Sequence, residues 1–209
     1  MKIKYNIIQK EAVRFVKETF TIREALEELE DSGFRCIPIL DKSTTKFLGN
    51  IYAQDIYKAI VKQSHSWDDS VLTLKDDTNV FIDESASFIR IFSNIKKYPY
   101  LAVLTNDGTF SGILTHANVV SILEDSWGLK TGSYTITIST HEYQGALSTI
   151  VSTIKKYSSI QALLTLDNES KFFRRIIVTL PSNTSEESVK KVITGLEEQG
   201  LRVFDIEKI

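Results

Sequence analysis

The chain has 209 residues, 42% hydrophobic and 25% charged, with a formal net charge of −2. That balance is ordinary for a globular protein, and the length allows two or three small domains. A near-neutral sum supplies no broad field for nucleic acid or an anionic membrane, so neither is expected as a partner.

Taken in chain order, the first stretch, Met1–Asn6, lacks the apolar core and cleavage site of a signal peptide. No apolar run approaches the length of a membrane span, and the expected address is the cytoplasm. Strands are predicted near Arg14–Lys17, Arg35–Leu40 and Phe47–Tyr52, with helices near Ile22–Ser32 and Gln54–Lys62. Gly33 fits a helix stop. Cys36 is the single cysteine and lies in the apolar run Cys36–Leu40, which reads as a buried small hydrophobe. Gln63–Ser70 is polar and punctuated, a connection.

A second set of elements follows: strands near Val80–Ile82, Tyr100–Leu104 and Ser111–Leu114, helices near Ser87–Lys97 and Ala117–Leu123. After the break at Gly128–Ser133 the pattern changes. Tyr134–Ser139 alternates as a half-buried strand does, and Leu147, Ile150, Val151 and Ile154 share one helical face. Two strands, Ser159–Leu166 and Phe172–Leu180, flank a turn at Asp167–Ser170. A helix from Thr184 ends at Gly200, and Arg202–Ile206 closes the order βαββαβ, that of a ferredoxin-like domain.

The first two sets are copies of one pattern. Gly49-Asn-Ile-Tyr-Ala-Gln-Asp55 matches Gly112-Ile-Leu-Thr-His-Ala-Asn118, and Ile37–Leu40 matches Leu101–Leu104. Upstream, the stripe Ile22, Ala25, Leu26 and Leu29 aligns with Ser85, Phe88, Ile89 and Phe92. Each copy runs from a strand into a helix start. One reading is helix capping, a hydroxyl at the cap bonding a backbone N–H three residues on. The other uses the same geometry to bind a nucleotide. Unpaired N–H groups and the helix dipole take the phosphate, the hydroxyl donates, and an acid one turn in accepts ribose hydroxyls.

The two copies resemble CBS (cystathionine-β-synthase) domains, which occur in tandem pairs. The resemblance rests on Arg35–Asp41 and Gly49–Asp55 in the first copy, and on Leu101–Leu104 and Gly112–Asn118 in the second. It spans roughly residues 8–125. It implies an adenine nucleotide, cyclic di-AMP among the candidates, in the cleft between the copies, and a homodimer. The residues it assigns to that ligand are Arg35, Ile37, Pro38, Tyr52, Asp55, Tyr100, Thr115, His116 and Asn118. The copies depart from the family pattern in opposite ways. The first keeps the ribose acid, Asp55, with Tyr52 in place of the hydroxyl residue; the second keeps Thr115, with Asn118 in place of the acid. One asymmetric site is therefore expected over two equivalent ones. Arg35 is assigned either to a phosphate or to an ion pair with an acid such as Asp31.

The C-terminal segment resembles an ACT domain, a small regulatory fold. The resemblance rests on the loop His141-Glu-Tyr-Gln-Gly145-Ala-Leu147 before the first helix, and implies a small-molecule site at His141, Gly145, Ala146 and Leu147, or a purely dimerising role. The expected fold is α/β (α+β): two CBS units at 8–66 and 76–126 packed as a pseudo-symmetric pair, then an ACT domain at 133–209. The CBS–CBS–ACT order resembles that of acetoin-utilisation accessory proteins. Phosphate-loop, dinucleotide and nucleophile-elbow motifs are missing from the sequence, and its scattered histidines and one cysteine give no metal-ligand spacing. No enzyme activity, cofactor or metal is expected; the nucleotide would regulate, through an unidentified effector protein. The rivals are an amino-acid sensor with the CBS pair as scaffold, a small nucleotide-processing enzyme, and a ligand-free dimerisation adaptor.

Overall fold

The computed structural model describes residues 6–141, 145–166 and 173–209. The chain divides into two compact lobes, one ending at Val119 and the other starting at Val120.

In the first lobe a short strand β1 (Ile8–Gln9) leads through a 3₁₀ turn to β2 (Val16–Lys17), α1 (Ile22–Ser32), β3 (Cys36–Leu40), β4 (Phe47–Tyr52) and α2 (Ala53–Val61). The second copy supplies β5 (Phe81–Asp83), α3 (Phe88–Ile95), β6 (Tyr100–Leu104), β7 (Phe110–Thr115) and α4 (His116–Ser126). Helix α1 forms because four apolar residues, Ile22, Ala25, Leu26 and Leu29, recur at helical spacing and all are buried. Thr21 and Glu24 close a reciprocal capping box at its start, and left-handed Gly33 stops it. Between β3 and β4 the Asp41 carboxylate accepts the Thr45 and Lys46 N–H groups, at 2.6 and 2.8 Å, which pins the turn.

The strands form two sheets, β2-β3-β4 and β1-β7-β6-β5. Each has its own apolar core, the first around Ile22, Ile39 and Ile51, the second around Ile91, Leu101 and Leu114. A third cluster of Val13, Leu40, Ala102 and Phe110 joins the copies, with the Phe47 and Phe110 rings stacked 6.3 Å apart. The copies also exchange backbone. Ile8 in β1 pairs with Ile113 of β7, and Asp76, before the second copy, pairs with Asn50 of β4.

That exchange explains the repeated glycine of the strand-to-helix motif. A Cβ on Gly112 would stand 2.1 Å from the Ile8 carbonyl oxygen, and one on Gly49 2.7 Å from that of Asp76. Glycine stands there to admit the chain arriving from the other copy.

The helical register of the repeat is corrected by three residues. Val16 pairs with Ile39 and Ile82 with Val103, while the caps are Thr21 and Ser87. Ala25, Leu26 and Leu29 therefore correspond to Ile91, Phe92 and Ile95, and Ser85 lies ahead of the helix, its hydroxyl bonded to Asp83. A slip of three keeps an apolar stripe nearly in phase, so periodicity alone could not separate the two alignments.

The second lobe contains β8 (Gly132–His141), α5 (Ala146–Ile154), β9 (Ala162–Leu166), β10 (Phe173–Pro181), α6 (Glu186–Glu198) and β11 (Arg202–Lys208). The sheet order β11-β8-β10-β9 is antiparallel throughout, as the βαββαβ order requires. Ile136, Ile138, Ile176 and Val178 of the sheet pack with Ile150, Ile154, Val189 and Val192 of the helices. The buried face of α5 is Ala146, Ile150, Thr153 and Ile154; Leu147, expected on it, is exposed. The helix is turned toward Thr153 because Gly195 of α6 leaves room there, a Cβ on it meeting Thr153 Cγ2 at 3.1 Å. The sequence turn at Asp167–Ser170 lies outside the described residues.

Candidate functional site

The largest cavity described lies in the first lobe, where β3 and β4 run up to helix α2, and encloses about 670 Å³. Arg35 and Cys36 form one side and Tyr52 another; Pro99, just before β6, contributes from the second copy. Helix α2 supplies the remaining wall through Gln54, Tyr57, Lys58 and Val61, followed by Lys62. Three cations and two phenols thus surround one space, and no acid is among the described lining residues.

Tyr52 precedes α2 without capping it through its side chain, so the helix start faces the cavity uncovered by a hydroxyl. Arg35 holds the first turn differently, its carbonyl accepting the Ala53 N–H at 3.1 Å. Among the described residues the Arg35 guanidinium pairs with neither Asp31 nor any other acid, and it is exposed.

Behind the cavity wall runs a buried polar chain. The Cys36 thiol donates to the Tyr100 hydroxyl at 3.8 Å, and that hydroxyl donates to Asn50 Oδ1 at 2.6 Å. The Asn50 amide donates to Asp77 Oδ2 at 3.4 Å, which also accepts the Tyr52 hydroxyl. Asn50 is fully buried, and the chain satisfies it. Burial pushes the Cys36 thiol up to about 12, and burial also raises the phenols of Tyr52 and Tyr100.

The structure brings two sequence-assigned residues, Arg35 and Tyr52, onto the cavity, with Tyr100 behind it. Ile37 and Pro38 lie in buried β3, Ile37 within the first copy's core. Asp55 sits in the first turn of α2, bound to Lys58 Nζ at 3.2 Å. Thr115 and Asn118 are engaged with each other. Asn118 Oδ1 accepts the Thr115 N–H and hydroxyl at 3.0 and 2.7 Å, and Thr115 Oγ1 accepts the Asn118 N–H at 3.3 Å. Here the capping reading describes the geometry. His116 Nδ1 lies 3.2 Å from the Pro99 carbonyl oxygen.

Sequence reasoning missed Tyr57, Lys58, Val61 and Lys62, although a signal existed: Tyr57 and Val61 are apolar residues one turn apart on an exposed face. It missed Asn50 and Asp77 because they meet only in the fold. In the second lobe, a smaller cavity of about 150 Å³ is lined by Gly145, Ala146, Leu147, Thr140, Thr165 and Arg174. Gly145 is left-handed and precedes α5. His141 ends β8, and the remainder of its loop, residues 142–144, lies outside the described residues.

Residues 6–62 match the CBS domain. The solved structures similar to this chain include CBS-pair proteins. CbpB of Listeria monocytogenes, in complex with c-di-AMP, is 26% identical with a TM-score of 0.52, covering 56% of this chain and 91% of its own. A hypothetical conserved protein of Geobacillus kaustophilus is 25% identical with a TM-score of 0.54, covering 59% and 96%. A CBS domain pair/ACT domain protein of Thermotoga maritima is 20% identical with a TM-score of 0.50, covering 59% and 96%. Comparison with curated proteins gives no match. The fold is mixed α/β and that of a CBS pair over the matched part. No described helix is long and apolar enough to cross a membrane.

Proposed function

We propose that this chain is a regulatory, ligand-sensing CBS protein that binds an adenine nucleotide, cyclic di-AMP foremost, in the cavity of its first lobe. One observation carries the reading: three cations, Arg35, Lys58 and Lys62, and two tyrosines line the same space, while Asp55, bonded to Lys58 at 3.2 Å, is not among the lining residues. Phosphate asks for the cations, and an aromatic base for the phenol faces. A CBS protein 26% identical to this one, solved with c-di-AMP, supports the choice of ligand.

The reading is of one working site per chain. Thr115 and Asn118 spend their polar atoms on capping α4, whereas Tyr52 leaves the start of α2 open. The ligand acts by preferring one arrangement of the protein over another, and can shift that balance only by its difference in affinity. In this proposal the protein works in the cytoplasm as a homodimer, its second lobe serves as an ACT domain, and a partner protein carries the output.

A thermal-shift series with AMP, ATP, S-adenosylmethionine, cyclic di-AMP and amino acids tests it. A nucleotide at 100 times its Kd should stabilise the native state by about 2.7 kcal/mol. Absence of a shift with every nucleotide sinks the proposal. A shift with an amino acid alone favours the second reading, a sensor built on the 150 Å³ cavity beside Gly145.

A further inference from the structure

We propose that Asp77 is the positioning residue of the cavity, holding the Tyr52 phenol from behind so that its ring is a fixed wall for the ligand's base. The proposal rests on the reading of this cavity as the nucleotide site.

Tyr52 and Cys36 are cross-strand partners on β4 and β3, and both line the cavity. Neither is held by the cavity itself. The hydrogen bonds run away from it, from Cys36 through Tyr100 to Asn50, and from Asn50 and Tyr52 onto one oxygen of Asp77. Every donor in the chain points toward that carboxylate, an arrangement in which each bond polarises the next. Asp77 is delivered there by the linker between the copies. Asp76 and Asn50 exchange backbone hydrogen bonds, at 2.7 and 3.0 Å, and Asp77 follows in a left-handed conformation with φ 54°. That conformation disfavours most side chains and tolerates Asp and Asn.

Two consequences bear on the ligand. With its hydroxyl committed to Asp77, Tyr52 offers the cavity its ring rather than a donor, which suits a base and not a phosphate. The carboxylate's negative charge also stands next to Tyr52, so the phosphates belong with Arg35, Lys58 and Lys62. Two members of the wall's support, Asp77 and Tyr100, come from the linker and the second copy, so the seating of the base depends on how the copies are joined.

Isothermal titration of the full chain with cyclic di-AMP, and separately with AMP, tests this. Tyr52→Phe keeps the ring and loses the hydroxyl. Asp77→Gly loses the carboxylate and accepts the left-handed backbone. Asp77→Asn keeps an acceptor oxygen and tolerates that backbone. Tyr52→Phe and Asp77→Gly should each weaken binding about tenfold, equal to about 1.4 kcal/mol. The double variant should be no weaker than either single one, since both break one interaction. Asp77→Asn should bind within about threefold of wild type. Wild-type affinity in both single variants, additive losses in the double, or failure of Asn to rescue overturns the positioning role while leaving the site intact. Failure of the wild-type chain to bind either nucleotide overturns the site and, with it, this proposal. Should Asp77→Gly not melt cooperatively, the pair Tyr52→Phe and Asp77→Asn decides through the same affinities.

Discussion

Cys36 is the only cysteine of the chain and sits at the cavity wall with its thiol well protected, 7% exposed. Its thiol ordinarily ionises at 9.0 and is pushed up to about 12 here, first by burial. A pKa raised in the folded state stabilises that state below the ordinary value and ceases to do so as pH rises from 9.0 towards about 12. Because the thiolate is the reactive form, native protein should be alkylated by iodoacetamide at least about a hundredfold more slowly than urea-unfolded protein at any pH from about 7 to about 9, although both rates climb with pH. A native rate close to the unfolded one at the same pH would show an exposed, ordinary cysteine. The sequence placed Cys36 correctly among buried small residues; for Thr115 and Asn118 it offered a cap, because cap partners lie three residues apart, but assigned both to the ligand. It could not show that Tyr52 answers to Asp77, since 25 residues separate them and only the folded linker makes them neighbours.

At the level of elements, the repeated glycines carry the strongest steric demand. Gly112→Ala would drive a Cβ into the Ile8 carbonyl oxygen at 2.1 Å, and relief requires β1 to leave β7. We expect a loss of about 3 kcal/mol or more in urea unfolding. Gly33→Ala is the control. Nothing lies within 4 Å of the added methyl, and only the left-handed backbone at φ 70° resists it, at about 1–2 kcal/mol. Equal losses would show that backbone conformation alone governs both sites. Most elements were legible because their patterns are local: α1 has its stripe and both its caps, and β8 alternates. The two-residue strand β1 was not, because pairing with a distant partner defines it and so few residues carry no period, whereas β2 fell within the predicted strand near Arg14–Lys17. Helix α5 shows the same limit. Two overlapping stripes fit its sequence, and a glycine on another helix chooses between them.

Across the whole molecule, the core of the second lobe shares no residue with the three apolar clusters of the first. Such a chain need not unfold in one step. In differential scanning calorimetry, cyclic di-AMP should raise the transition of the lobe that holds the cavity and leave the other where it was. Equal displacement of both transitions would mean that the ligand binds elsewhere or that the lobes unfold together.

The pairing of β1 with β7 sets an order of events during synthesis. Ile8 leaves the ribosome early, yet its partner Ile113 follows more than a hundred residues later. At about 5–20 residues per second, the first strand waits several seconds or longer for its place in the sheet. Asp76, which pairs with Asn50 of the first copy, emerges 37 residues ahead of Ile113, so that edge is closed while β1 still waits. The first copy, whose sheet and core lie within residues 16–74, can fold ahead of the second, and what waits is β1. The two halves of the pair are closed by each other's backbone, and the native lobe is assembled only when the last strand of the second copy arrives.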